Sequence, residues 1–126
     1  MQDHPTPAEI LGAVAAYLKA DVTADITPNA VFQARVAANA LEIARRDLEL
    51  SPAADAAEHE RLEQLLGHGG DLPGLNRALA ARIADGSIDL STPGLARHLW
   101  LTTLAKLAVD QPTYSGYRAA LADQET

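Results

Sequence analysis

An all-α fold is predicted for these 126 residues, as a single-domain bundle of about five helices packed mostly antiparallel, and three observations carry it. The apolar fraction is 48% while aromatics are only 4%, so alanine and leucine supply most of the interior, which suits close-packed helices better than sheets. Four helix starts are marked by a capping residue followed by proline: Thr6-Pro7, Thr27-Pro28, Ser51-Pro52 and Thr92-Pro93. The third observation is the run from Asn29 to Leu50, the longest helical pattern in the chain, with no breaker inside it.

Residues 1–5 read as a loose start. Thr6, Pro7 and Glu9 then form a capping box that opens a first helix to about Ala20, with Ile10, Leu11, Val14, Tyr17 and Leu18 as its apolar face. Asp21 to Thr27 turns the chain into the long helix. On that helix Phe32, Val36, Ala40, Ile43 and Leu50 fall on one side, and Ala37, Leu41, Ala44 and Leu48 widen the arc to about half the circumference. Ser51-Pro52 is expected to stop this helix and cap a third one, Pro52 to Leu66, with Ala56, Leu62, Leu65 and Leu66 inward and an acidic outer surface.

Gly67-His68-Gly69-Gly70 ends the third helix, and Asp71 caps a fourth through Leu72, Leu75, Leu79 and Ile83, closed by Gly86. Thr92-Pro93 opens a fifth that runs to about Val109. Its faces separate: Ala96, Trp100, Leu101, Leu104, Leu107 and Ala108 cover one side, and His98, Thr102, Lys106 and Asp110 follow at i, i+4 spacing on another. That polar line is expected to face solvent, with a groove as the other reading. Tyr114 to Leu121 forms a short sixth helix and residues 122–126 a loose end. Asn29–Leu50 and Thr92–Val109 are the expected central pair, with Phe32, Val36, Ile43, Leu79, Trp100 and Leu104 buried.

Ten basic against seventeen acidic residues give a formal charge of −7, and without a basic tract this argues against nucleic acid as a partner. No apolar stretch reaches the ~20 residues that cross a bilayer, and the first apolar run lacks a basic segment before it. A soluble cytoplasmic protein is the expectation. The absence of cysteine excludes disulfides, thiolate metal sites and a thiol nucleophile.

No histidine has a glutamate three residues before it, as a di-metal helical bundle would need, and no His-x-x-x-His pair exists. His59 and Glu63 read as a surface pair, and the glycine-rich turn fits neither phosphate-binding fingerprint. No serine lies in a nucleophile elbow. No catalytic residue, metal or cofactor is therefore expected. The polar residues left near apolar faces are Arg35, Asn39, Arg46, Asn76, Lys106 and Asp110. They either satisfy one another or line a pocket for a small anionic or amide-bearing ligand.

The runs FQARVAANALEIARRDLEL (32–50), DLPGLNRALAARIADG (71–86) and LAKLAVDQPTY (104–114) resemble a family of small bacterial helical proteins of unassigned function. Genes of that family commonly stand beside those for acyl-CoA dehydrogenases and aminoglycoside-phosphotransferase-like kinases. The resemblance implies an accessory role in acyl-CoA or related catabolism, a kinase-like or dehydrogenase-like partner or a second copy, and recurrent positions at Arg35, Asn39, Asn76, Arg77 and Asp110. Two function classes follow: a non-enzymatic accessory or interaction module, and, as the alternative, a binding domain for a small anionic or acyl-CoA-type metabolite.

Overall fold

The computed structural model describes residues 5–20 and 27–124, and among them the chain is all-α, with five helices and no strand. They are α1 (Pro7–Ala20), α2 (Pro28–Leu66), α3 (Leu72–Ala84), α4 (Leu95–Asp110) and α5 (Ser115–Gln124). The expected loose start and the turn after Ala20 lie largely outside the described residues. Among those residues no helix is long and apolar enough to cross a membrane.

The helix starts follow the local chemistry closely. The Thr6 amide donates to Glu9 Oε2 at 2.6 Å and the Glu9 amide to Thr6 Oγ1 at 3.2 Å, a reciprocal capping box. Asp71 Oδ1 accepts the Gly74 amide at 2.8 Å to cap α3, and Gly86, at φ 78°, ends that helix in the left-handed region.

Two boundaries differ from expectation. Ser51-Pro52 does not end a helix, because α2 runs through it for 39 residues with Pro52 inside. Proline removes the bond its amide would have given to the Leu48 carbonyl, yet leucine, glutamate and alanine on both sides favour helix enough to carry the segment across. The chain nevertheless divides into two compact units at this point, residues 1–50 and residues 51–126. Ser51-Pro52 thus marks a limit between units inside a continuous helix.

Helix α4 starts at Leu95, later than Thr92-Pro93 implies. Thr92 Oγ1 accepts the Asp89 amide at 3.1 Å, so its hydroxyl serves the connector, and Gly94 at φ 93° takes the N-cap position. Asp85 and Asp89 each accept the amide two residues on, at 2.9 and 2.8 Å, which holds that connector in successive tight turns. The short final helix extends to Gln124, so residues 122–124, expected in a loose end, are helical, and the last two residues lie outside the described ones.

The core of residues 51–126 joins Leu62 and Leu66 of α2, Leu75 and Leu79 of α3, Ile88 of the connector and Leu95 of α4, with Leu72 and Ala78 packed against it. Arg82 Nη1 donates to the Leu66 carbonyl at 3.3 Å, satisfying an acceptor that the end of α2 leaves open.

Residues 1–50 are built differently. Among the described residues their fully buried side chains are Ala15, Ala34 and Ala38, with Leu11, Leu18, Val31, Leu41 and Ile43 partly buried, and Gly12 of α1 lies against Arg45 of α2, where an added methyl would meet Cδ at 3.3 Å. Three alanine methyls contribute only about 0.8 kcal/mol each, against ~1.5–3 kcal/mol for one buried leucine. The stabilising weight of the core therefore lies in residues 51–126.

Three residues expected in the core are exposed: Phe32 (61%), Val36 (49%) and Trp100 (51%). Leu79 and Leu104 are buried and Ile43 partly so. Phe32 and Val36 lie roughly opposite Ala34 and Ala38 around α2, and the alanine side is the one that packs. On α4 the apolar residues surround the helix. The buried set is Leu95, His98 and Leu104, which leaves Trp100 outside.

Candidate functional site

Two surfaces gather side chains with something to do, one in each unit. In residues 1–50, α1 exposes Ile10, Val14 and Tyr17, and α2 exposes Phe32, Val36 and Leu50. Positions 32, 36, 43 and 50 form one stripe, flanked on one side by Arg35, Asn39 and Arg46. Arg35 and Asn39 are exposed. Arg46 is half-buried, with Nη1 3.9 Å from Glu42 Oε2. Its neighbour Arg45 bridges Glu42 at 3.0 Å and Glu49 at 2.8 Å, and these pairings raise its pKa above the ordinary arginine value.

The second surface is a groove of about 250 Å³ between α3 and α4. Asn76, Ala80 and Ile83 line its α3 side, and His98, Thr102 and Lys106 its α4 side. Leu79 and Leu99 add apolar surface. The i, i+4 line on α4 is thus the lining of a groove as far as Lys106, while Asp110 is exposed and not part of it. Arg77 is exposed on α3 and also lies outside the groove. Of the seven candidate residues, the structure brings Asn76 and Lys106 together here.

Polar side chains from α2 stand behind this lining. Asn76 Nδ2 donates to Glu58 Oε1 at 2.7 Å and to the Leu72 carbonyl at 3.2 Å, and Arg61 Nη2 donates to Thr102 Oγ1 at 3.4 Å. Glu58 and Arg61 were not singled out from sequence. One signal was available, because Arg61 is the only basic residue between Pro52 and Leu66.

His98 is 2% exposed, and its Nδ1 is buried without a hydrogen-bond partner, as is Arg61 Nε. Burial first, and then the Arg61 charge, hold the imidazole below the ordinary histidine pKa, with Glu58 acting weakly in the other direction. The ring is neutral at pH 7.

A stability prediction follows from that shift. Above a pH of about 6.5 both folded and unfolded chains carry neutral His98, and its contribution is complete. As pH falls below that value the unfolded chain takes up a proton that the folded chain refuses, so stability declines until the lower folded pKa is reached. Urea denaturation between pH 7.5 and 5.5 will show this decline, and His98→Gln will reduce its slope. An identical slope in the variant would contradict the assignment.

At the end of α2, His59 Nε2 donates to the Gly70 carbonyl at 2.7 Å, pinning the glycine-rich turn, while its Nδ1 is 3.8 Å from Glu63 Oε2. The turn is a helix terminator, with Gly67 at φ 76°.

No curated protein and no solved structure matches the chain. A family model described as a domain of unknown function, DUF6285, matches residues 24–114, which include all of α2, α3 and α4. That match covers 91 of the 126 residues, counting 24 through 114, and the chain therefore belongs to the DUF6285 family.

Proposed function

We propose that this chain is a non-enzymatic interaction module that acts through the apolar face of residues 1–50, with a second copy of itself as the partner. The observation that carries the reading is an inversion of burial: among the described residues of that unit the fully buried side chains are alanines, while Tyr17, Phe32 and Val36 stand exposed. Large apolar side chains clustered at a surface mark contact sites. Coverage by another chain would supply the burial that the alanine interior lacks.

Residues 1–50 carry four basic and seven acidic residues and residues 51–126 six and ten, so the apolar stripe and not charge carries the contact. The resemblance to bacterial proteins encoded beside acyl-CoA dehydrogenase-like and kinase-like genes supports an accessory role in acyl-CoA or related catabolism. It supplies the competing partner, a protein of one of those kinds.

Sedimentation velocity over a wide concentration range tests the proposal. The wild-type chain will sediment as a dimer that dissociates on dilution, and Phe32→Glu/Val36→Glu will remain monomeric while the core of residues 51–126 stays folded by circular dichroism. A wild-type monomer at every concentration, or a dimer indifferent to the double substitution, would overturn it. Wild-type monomer that binds a dehydrogenase-like or kinase-like protein would replace the second copy with that partner.

A further inference from the structure

The groove between α3 and α4 lies in the other unit and makes a separate case, one that does not rest on self-association. Its lining is divided. Leu79, Ile83 and Leu99 give it an apolar part, and His98, Thr102 and Lys106 place three polar groups along one line of α4. We infer that it binds a short hydrocarbon chain ending in a carboxylate.

Each polar group is available for a different reason. Lys106 is exposed at the lining and brings a full positive charge on a long flexible stem. The Thr102 hydroxyl accepts from Arg61, which leaves its own proton to donate. His98 is more than nine-tenths buried at the groove wall, with no partner on Nδ1. Thr102 and Lys106, one turn apart on α4, offer a hydroxyl and a cation to a carboxylate, whose two oxygens accept several bonds at once. The Arg61 guanidinium behind Thr102 adds a second positive charge. Glu58 is the opposing charge, and its Oε1 is engaged by Asn76.

The groove is open to solvent on one side, and its volume suits a short ligand. A volume of about 250 Å³ equals roughly eight waters at ~30 Å³ each, room for about eight heavy atoms. Hexanoate has that many, with a tail long enough to reach the leucine and isoleucine side. An inorganic anion would leave this apolar surface unused.

The test titrates the full chain with hexanoate, hexanamide, hexylamine and inorganic phosphate, following backbone amide signals by NMR. Hexanoate will shift residues 76–83 and 98–106, whereas hexylamine will not, and hexanamide and phosphate will bind more weakly. Lys106→Gln, a change at an exposed position, will weaken hexanoate by about tenfold or more, the worth of one charge-assisted hydrogen bond. Ala80→Phe, which fills the groove from another exposed position, will abolish binding with the helical circular dichroism retained. The inference is overturned if hexanoate leaves those amides unmoved, if hexylamine or phosphate binds as tightly, or if Lys106→Gln binds like the wild type.

Discussion

Leu62→Ala will lower the unfolding free energy by about 2–5 kcal/mol, the range for removing a fully buried leucine from a packed core. Leu62 has no solvent exposure and sits in the cluster that joins α2, α3, the connector and α4, so the space left behind is bounded by several elements that cannot all collapse into it. Leu90→Ala is the matched control. Leu90 is 78% exposed in the connector, and its loss will change stability by no more than about 0.5 kcal/mol. Urea denaturation measures both, with an unchanged slope showing that the same folded unit is lost. A Leu62→Ala effect as small as that of Leu90→Ala would mean that the stability of residues 51–126 does not depend on this cluster.

The parts of the fold that sequence made legible are those governed by neighbours in the chain. Thr6 with Glu9, Asp71 with Gly74 and the left-handed Gly86 are local devices, and each acts within a few residues of itself. Thr92 shows where this logic fails, because its hydroxyl had two local uses, cap or connector, and the connector took it. Pro52 fails in another way. Its local signal for a boundary was sound, but strong helix formers on both sides carried α2 through, and the boundary survives only as the limit between two units.

Facing was harder to read than helicity. On α2 the apolar arc spans so much of the circumference that periodicity alone could not choose a side, and Gly12 with Ala15, Ala34 and Ala38 drew the alanine side inward. That choice exposed Phe32 and Val36. For the groove, the spacing of His98, Thr102 and Lys106 was visible, yet whether the line met water or α3 depended on how α4 is rotated. Arg61 and Glu58 could not be assigned a role until α2 was placed behind that line.

The largest effect expected of the whole chain is concentration-dependent order in residues 1–50, and it follows from the same inversion of burial. Helices whose fully buried side chains, among the described residues, are three alanines gain little from their own packing, so on the proposed reading a second copy over the exposed stripe supplies much of their stability. Residues 51–126 have their own leucine core and need no such help. Amide hydrogen exchange, read segment by segment at protein concentrations above and below the association midpoint, separates the two units directly. Protection over residues 7–20 and 28–50 will rise steeply with concentration, while the amides of Leu62, Leu75, Leu79 and Leu95 exchange at rates that dilution does not change. Protection in α1 and the first half of α2 that is the same at every concentration would contradict the account, because the apolar face would then need no second copy.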